Sequence, residues 1–537
     1  MPDRQDARAE QETLIAALRR PGALPGDPGS ATLHETHVSW VLVGRDRAYK
    51  VKKALTLAFL DYGTLARRRA CCEAEVALNR RLAPDLYLGV RGIARTPGGA
   101  VLVDPDGAGV VEHAVEMRRF DERSTLAARI LAGEPCDEAI DAAGRTLAAF
   151  HAGAARAPGV DSPGGLLSRL ADTRSTLDEL IGDPLRRRLM SGAARGTAAA
   201  IGRHAPLLRR RAASGLVRDG HGDLRAEHVL WDPDVGMQVV DCVEFDPLMR
   251  RVDVGADLAF LLMDLEGLGR PDLAARLLDS YVAAGGDPGP PALLWALATD
   301  RALVRVKVAL LRATQQQGTE ARRSRERAED LLDLAERLAW RARLPLAIAV
   351  CGPPASGKST LASAIAAASG LVVLASDLVR KELGGIAPTE RGRRGLYGAD
   401  VTRRVYAQIA ERAAREVDSR GGAILDATFG RREGRDLLRA SLAGTPLLWA
   451  ACEVPQTLAL ARAAARERDP ERISDADVAV AARLAATFEP LTECPPAQHA
   501  VIDATRPVDE QLEQVREAAD GLLAGTPVHE GEVAAAP

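Results

Sequence analysis

Apolar and polar positions follow two different rhythms along the chain. Up to about residue 340, short β-rich runs give way to long alanine- and leucine-rich stretches in which apolar residues recur at helical spacing. From Leu344 onward, short apolar runs alternate with helical stretches, which is typical of a parallel α/β sheet. We therefore predict a first domain over 1–340, a second over 341–524 and a disordered tail over 525–537.

The two domains differ in the elements that the pattern predicts. In the first, the elements in chain order are a helix within 1–25, a hairpin of strands 38–43 and 48–52, a helix over 65–82, helices within 124–215, strands at 229–231 and 237–243, and helices within 256–340. In the second, strands at 344–351, 371–375, 422–425 and 446–452 are separated by helices. The first domain should therefore be α+β and the second α/β.

Composition narrows the classes of partner and compartment. The formal net charge of −3 over 537 residues leaves no global basic excess for nucleic acid or an anionic membrane. Seven widely spaced cysteines without a CxxC pair indicate neither a disulfide framework nor a zinc site. No apolar run approaches the length that crosses a bilayer, so we expect a soluble, cytoplasmic protein.

Lysine is rare, and its positions are informative. Only six of the 71 lysines and arginines are lysines, so arginine serves wherever any positive charge suffices. A lysine kept in this background indicates a need for a compact ammonium on a flexible stem. Lys358 and the cluster at Lys50, Lys52 and Lys53 stand out for this reason.

A phosphate-binding loop follows the first apolar run of the second domain. The run 344–351 leads into a glycine-rich turn and then a helix-forming stretch, which is the context that a P-loop needs. Its backbone N–H groups would surround phosphate oxygens, with Lys358 on the outer phosphates and the Ser359 hydroxyl on Mg²⁺. The residues predicted to bind the nucleotide here are Gly352, Pro353, Pro354, Ala355, Ser356, Gly357, Lys358, Ser359 and Thr360.

Later carboxylates and arginines suggest a kinase rather than another nucleotide hydrolase. Asp377 follows the second strand of this domain, where it could orient an acceptor hydroxyl or merely cap a helix. Asp426 ends an apolar strand and is a candidate Mg²⁺ ligand, or else a plain turn residue. Arg462 and Arg466 could close as a lid over the transferring phosphate, although each could equally belong to a solvated helix face, and Arg380 of the Ser-Asp-x-x-Arg motif is a further catalytic candidate.

These motifs, together with 474–477, resemble the predicted small-molecule kinases of the P-loop superfamily. Those proteins are similar to gluconate kinase, the polynucleotide 5′-kinase domain, zeta toxin kinases and chloramphenicol phosphotransferase. The resemblance covers about residues 344–523. In the polynucleotide kinase and zeta groups the corresponding aspartate acts on the acceptor hydroxyl, so the resemblance implies that Asp377 is the catalytic base.

A second kinase-type constellation lies in the first domain. Phosphoryl transfer needs a carboxylate for the acceptor hydroxyl, a metal ligand five residues on and a second aspartate after a hairpin, and Asp223, His228 and Asp241 have this spacing. The pattern resembles aminoglycoside phosphotransferases, which implies that Lys50 pairs with nucleotide phosphates and with Glu75. Glu73 is a rival for that partner role, and Asp253 and Asp257 match acidic residues that follow in that family.

One residue departs from that pattern and leaves the function open. His228 stands where the family has asparagine, and imidazole is a poor ligand for Mg²⁺. The domain order resembles bacterial bifunctional phosphotransferase and ATP-binding proteins, which implies ATP and Mg²⁺ as cofactors.

Three functions are open on this evidence. The first is an ATP-dependent kinase of a small-molecule hydroxyl, and the second makes the first domain a non-catalytic sensor that controls the P-loop domain. The third is a nucleic-acid 5′-hydroxyl kinase, favoured by clusters of arginines but disfavoured by the acidic balance and the 3% aromatic content. The clustered arginines are Arg391, Arg393, Arg394, Arg431, Arg432 and Arg435.

Overall fold

The computed structural model describes residues 2–57, 60–158, 162–390, 398–466 and 478–526. The chain packs into two compact units, each built from two stretches of sequence. The first unit comprises Met1–Ser162 and Arg209–Pro288, and the second comprises Pro163–Leu208 and Gly289–Pro537. The second unit thus includes much of the helical sequence that we placed in the first domain. The predicted division into 1–340, 341–524 and 525–537 stays a prediction, and 527–537 lies outside the described residues.

Helices account for most of the described chain. In chain order they are α1 (Pro2–Leu18), α2 (Leu65–Asn79), α3 (Leu126–Leu131), α4 (Asp137–Gly153), α5 (Pro163–Leu180), α6 (Pro184–Arg203), α7 (Ala205–Ala213), α8 (Pro247–Arg250), α9 (Val254–Gly267), α10 (Pro271–Ala283), α11 (Pro291–Gln315), α12 (Gly318–Arg341), α13 (Lys358–Ser369), α14 (Ser376–Leu383), α15 (Ala399–Arg420), α16 (Arg432–Ser441), α17 (Gln456–Arg466), α18 (Val478–Ala486) and α19 (Val508–Ala524).

The strands are mostly short. They are β1 (Thr32–Glu35), β2 (Ser39–Val43), β3 (Arg47–Lys52), β4 (Thr56–Leu57), β5 (Leu60–Asp61), β6 (Tyr87–Thr96), β7 (Gly99–Val103), β8 (Val110–Arg118), β9 (Val217–Asp219), β10 (Val229–Asp232), β11 (Gly236–Val239), β12 (Arg251–Asp253), β13 (Leu346–Cys351), β14 (Val373–Ala375), β15 (Gly422–Asp426), β16 (Leu447–Glu453) and β17 (His499–Asp503).

The first unit contains an antiparallel sheet with the strand order β1-β2-β3-β8-β6-β7. Helix α2 packs on β6 and β8 and begins at Thr64, whose hydroxyl accepts a hydrogen bond from the backbone N–H of Arg67. Its buried face includes Cys72, Glu75 and Val76, which follow helical spacing. A carboxylate on a buried face needs a partner of opposite charge, so Glu75 directs attention to the lysines of β3.

The second unit contains a parallel sheet with the order β14-β15-β13-β16-β17. Every residue of the central strand β13 is buried, as expected for a strand covered on both faces. One core cluster includes Ile409, Phe429 and Trp449, and another includes Ile348 and Leu361. This is the P-loop kinase type of fold, and with the mixed first unit it confirms the predicted fold class.

A helical layer completes the second unit. Helix α6 packs against α11, α12 and α19, and Trp340 at the end of α12 joins the core around Ile348. The buried Arg343 binds the carboxylate of Asp520 at 2.7 Å. These contacts explain why residues 163–208 and 289–341 pack with the P-loop sheet.

Most predicted elements are confirmed, with differences at particular places. The hairpin is β2–β3, the helix at 65 ends at Asn79, and the four C-terminal strands are β13 to β16. The strand expected at 237–243 was wrong in its second half, because Asp241 has a φ of 64°, which ends extended pairing. The sequence pattern did not predict β17 or the strands β6, β7 and β8. Among the described residues, no helix has the length and apolar character needed to span a bilayer.

Candidate active sites

The P-loop connects β13 to the N-terminus of α13. Gly352 and Gly357 have φ values of 134° and 101°, and Ala355 lies in the left-handed region with a φ of 62°. Backbone conformations of this kind allow the N–H groups of a loop to face a bound phosphate. The buried hydroxyl of Ser356 has no hydrogen-bond partner among the described residues. The loop therefore has the form of an anion cradle.

Gly352 can be tested for its contribution to the cradle. A Cβ at this position would lie 2.7 Å from the carbonyl oxygen of Cys452, a contact that neighbouring backbone resists. We expect Gly352→Ala to destabilise the protein by about 1–3 kcal/mol and to weaken ATP binding. Gly521→Ala is the matched control because its Cβ meets nothing within 4 Å in helix α19. Equal thermal stability and equal ATP affinity in both variants would contradict this role for Gly352.

Lys358 begins helix α13, and its ammonium donates a hydrogen bond to the carbonyl of Pro353 at 2.8 Å. That contact holds the positive charge over the loop. Ser359 follows at an exposed position in the first turn. The structure thus places the lysine and the hydroxyl of the motif side by side at a helix N-terminus, where the helix dipole also favours an anion.

Two aspartates lie at the same edge of the sheet as the P-loop. In the parallel register Asp426 stands beside Val350 of β13 and beside Ala375 of β14. Asp426 is buried, and Asp377 is half-buried two residues after β14 ends. Helix α14 begins at Ser376 with Ala375 as its N-cap, so Asp377 is in the first turn and is not the cap. Asp426 therefore ends the strand next to β13, and Asp377 follows the strand beyond it, both at the edge of the sheet where α/β folds bind ligands.

The predicted arginines occupy different environments. Arg380 is buried on α14 and donates a hydrogen bond to the Thr402 hydroxyl at 3.2 Å. Arg462 donates to the carbonyl of Ala504 at 3.0 Å, and its guanidinium is 3.6 Å from the position that a Cβ of Gly357 would take. Arg462 therefore lies next to the P-loop. The side chain of Arg466 and residues 474–477 lie outside the described part of the chain.

In the first unit, the predicted Lys50–Glu75 pair is present. The Lys50 ammonium is 2.9 Å from one oxygen of Glu75, and Lys52 is 2.7 Å from the other. Glu73 pairs with Arg69 on the exposed side of α2 and so is not the partner. Lys52 is fully buried, which is tolerable only because carboxylates surround it.

Lys52 has two further partners that the sequence reading did not assign. Its ammonium binds the carboxylate of Glu244, and both groups hydrogen-bond the hydroxyl of Tyr62. The signal was present in the strand periodicity, because Lys50 and Lys52 are two residues apart and must share one face of β3.

Asp241 is held in place by its backbone and by Lys50. Its N–H donates to the Tyr87 hydroxyl at 3.3 Å, and its carboxylate accepts from Lys50 at 2.7 Å. The neighbouring Lys50 charge holds the pKa of Asp241 well below its usual range, against the opposing effect of burial. Asp241 is therefore ionised and already paired with a cation.

Asp223 and His228 are arranged differently from what their spacing predicted. Arg225 donates to both oxygens of Asp223, at 3.1 and 3.0 Å, and to Nε2 of His228 at 2.9 Å. The other ring nitrogen of His228 donates to the carbonyl of Asp223 at 2.8 Å. With Nδ1 as donor and Nε2 as acceptor, both nitrogens are in use.

This donor set does not fit Mg²⁺ at His228. The metal role of His228 stays a prediction, and two features of this geometry oppose it: Nε2 already accepts a hydrogen bond from Arg225, and Arg225 brings a positive charge beside the ring. Asp241 retains its carboxylate as a possible ligand. Within the described ranges, no three His, Cys, Asp or Glu side chains are grouped as a metal site.

Asp257 supports the loop around Asp223 through hydrogen bonds. Its carboxylate accepts hydrogen bonds from the N–H groups of His221 and Gly222 at 2.7 and 2.8 Å, and it contacts His151 at 3.2 Å. Burial lowers the pKa of His221 to about 4, so its imidazole is neutral and packs the loop. Asp253 caps helix α9 and binds Arg211. Both acidic residues are thus structural.

Of the arginines that favoured nucleic acid, those at 431–435 are engaged within the protein. Arg435 is fully buried and binds Glu493 at 2.5 Å, which corrects its placement on a binding surface. Arg431 pairs with Glu489, and the backbone N–H of Arg432 donates to the same carboxylate. Arg391, Arg393 and Arg394 lie outside the described residues.

Comparison with known proteins agrees with this division of motifs. A model of a phosphotransferase enzyme family matches residues 67–295, and a model of an AAA domain matches residues 348–491. Uncharacterized proteins of Mycobacterium tuberculosis and Mycobacterium bovis are 34% identical over 434 residues, which is 77% of this chain and 81% of theirs.

Similar solved structures each cover part of the chain. A gluconokinase from Sinorhizobium meliloti is 25% identical and covers 34% of this chain and 93% of its own, with a TM-score of 0.25. A choline/ethanolamine kinase family protein from Mesorhizobium loti is 14% identical and covers 62% of this chain and 99% of its own, with a TM-score of 0.37. On the family models and the mycobacterial relatives, the chain belongs to a family of kinase-type proteins that join an N-terminal phosphotransferase domain to a C-terminal AAA-type P-loop domain.

Proposed function

We propose that the P-loop unit transfers the γ-phosphoryl group of ATP to a hydroxyl of a small molecule. The observation that carries this proposal is that Asp426 ends β15 next to the P-loop strand β13, while Asp377 lies in the first turn of helix α14, after the neighbouring strand β14, at the same edge of the sheet. A nucleotide switch needs the loop and one carboxylate. A kinase also needs a group for the acceptor, and Asp377 supplies it.

Each residue then has a role set by its position. Gly352 to Thr360 bind the phosphates, and Lys358 neutralises charge that develops on the transferring group. Asp377 accepts the acceptor's proton or orients its hydroxyl. The arginines Arg380, Arg462 and Arg466 are proposed to bind the transferring phosphate or the acceptor.

Mg²⁺ fits the donor groups of this unit. The glycine cradle and the partnerless Ser356 hydroxyl suit a metal–triphosphate complex. Ser359 would be a direct ligand and Asp426 a ligand through water. When bound, Mg²⁺ would offset the negative charge of the phosphates.

The alcohol acceptor can be tested by the chemical nature of the product. Wild-type protein is incubated with ATP, Mg²⁺ and pools of sugars, sugar acids and polyols, and the products are examined by ³¹P NMR. A phosphate-ester signal that depends on one pool supports the proposal. Release of inorganic phosphate alone, with every pool and with a cell metabolite extract, would show an ATPase instead.

For the first unit, we propose a second function as a nucleotide- or ligand-sensing domain that transfers no phosphoryl group. Lys50 and Glu75 would bind the nucleotide, with Asp241 as the remaining candidate metal ligand. The supporting observation is that Arg225 engages both Asp223 and His228, the residues that would otherwise serve chemistry. A base held by a guanidinium is a weak proton acceptor.

We expect Asp223→Ala to leave label transfer from ATP to a metabolite extract within about two-fold of wild type. The control is Asp234→Ala, an exposed aspartate in the β10–β11 turn of the same unit. Loss of one labelled product in Asp223→Ala, but not in Asp234→Ala, would show that the first unit is a catalyst as well.

Two further proposals concern partners and location. We propose a small-molecule rather than a nucleic-acid acceptor, since Arg435 is buried and the chain carries a net charge of −3. We also propose that the protein acts in the cytoplasm. Weak, salt-insensitive binding of single-stranded nucleic acid to the protein would support the small-molecule acceptor.

A further inference from the structure

Helices α11 and α12 of the second unit enclose a recess that no role above explains. The two helices form a hairpin, and the recess lies between them toward the connecting turn, with a volume of about 150 Å³. Val308, Ala309 and Leu331 form an apolar part of its lining. A single water needs roughly 10–15 Å³ of such volume, so the recess has room for a group of several heavy atoms.

Arginines from both helices surround this recess. Arg305 and Arg312 are seven residues apart on α11, and Arg323 and Arg327 are four apart on α12, so each pair shares one helix face. Like charges four residues apart, as at Arg323 and Arg327, destabilise a helix by about 0.2–0.5 kcal/mol. Four guanidinium groups around one apolar recess favour a negatively charged occupant.

Two carboxylates of α12 near Arg323 and Arg327 have other partners. Glu326 pairs with Arg322 at 3.3 Å, and Glu329 pairs with Arg186. Within the described ranges, the side chains of Arg312, Arg323 and Arg327 make no hydrogen bond or ion pair. These guanidinium groups therefore retain their donors for a ligand.

The shape and the donors together define a ligand class. Guanidinium forks bind phosphate oxygens in pairs, and an apolar floor strengthens such contacts by lowering the local dielectric constant. Ser324 also lines the recess, and its hydroxyl donates a hydrogen bond to Oε1 of Gln316 at 2.6 Å, so the guanidinium groups are the donors left for a phosphate. We propose that this recess binds a small, multiply charged phosphate compound of about the size of pyrophosphate, at a site separate from the P-loop. The proposal stands independently of the kinase function.

Arginine modification tests the site residue by residue. Full-length protein carrying Lys358→Ala, which weakens phosphate binding at the P-loop, is treated with phenylglyoxal with and without inorganic pyrophosphate, and each arginine is followed by mass spectrometry. We expect saturating pyrophosphate to slow modification of Arg312, Arg323 and Arg327 by about three-fold or more. The internal control is Arg322, which lies on the same helix and is paired with Glu326.

Three outcomes would overturn the proposal. One is that pyrophosphate leaves the modification rates of Arg312, Arg323 and Arg327 unchanged. Another is equal protection by sulfate at matched ionic strength, which would indicate diffuse charge attraction. The third is protection by a single-stranded oligonucleotide but not by pyrophosphate.

Calorimetry gives an independent check with variants that should fold normally, since the altered residues are exposed. In the Lys358→Ala background, a protein with Arg312→Gln, Arg323→Gln and Arg327→Gln combined should lose the pyrophosphate site. A control protein with Arg322→Gln in the same background should keep it. Identical binding isotherms for the two proteins would contradict the assignment.

Discussion

Replacing Lys358 with alanine is expected to lower phosphoryl transfer by about 10²- to 10³-fold, the effect of removing a charge-stabilising donor from a transition state. The ammonium lies over the P-loop on the carbonyl of Pro353 and is the lysine of that motif. Because the glycine cradle remains, the loss should be larger in kcat than in ATP affinity. Initial rates with labelled ATP measure both.

Lys307→Ala is the matched control for this substitution. Lys307 belongs to the same unit, but its ammonium contacts the Thr173 hydroxyl at 3.3 Å in the helical layer. The control should keep wild-type kcat. A wild-type kcat in Lys358→Ala would contradict a catalytic role for the P-loop.

Asp377→Asn is expected to lower kcat by about 10²- to 10⁴-fold, the range for losing a positioned general base. The amide keeps the shape of the side chain but accepts a proton poorly. The KM for ATP should change little, because Asp377 follows β14 and is not part of the P-loop. Steady-state kinetics against ATP and the acceptor separate these effects.

A purely structural Asp377 would give a different result. As a first-turn residue of α14 it also interacts with the helix dipole, so the substitution could lower the melting temperature without changing kcat. Asp400→Asn, in the first turn of α15, controls for that contribution. A lowered melting temperature in both variants with unchanged kcat would assign Asp377 a structural role.

The fold was predictable where local pattern and burial coincide. The wholly apolar β13 and its glycine-rich turn leave few alternatives, and helix α2 shows its buried face by spacing alone. The strand β17 was missed because its burial is only partial and a proline-rich segment precedes it. The packing of 163–208 with the P-loop sheet depends on contacts distant in sequence, which periodicity does not encode.

The candidate sites were predictable as residue types but not as pairings. Lysine scarcity identified Lys50 and Lys358, and the structure adds Lys52 as a second, more deeply buried partner of Glu75. The motif spacing did not reveal that Arg225 donates hydrogen bonds to both Asp223 and His228, because tertiary contacts set the direction of side chains in a loop. Burial of Arg435 was hidden for the same reason.

The most direct test compares three proteins in one assay. Wild type, Lys358→Ala and Asp223→Ala are incubated with γ-labelled ATP and a metabolite extract, and the labelled products are separated and identified. The account predicts the same labelled small-molecule ester from wild type and Asp223→Ala, and about 10²- to 10³-fold less of it from Lys358→Ala. A product that persists in Lys358→Ala and disappears in Asp223→Ala would contradict it and place the chemistry in the first unit.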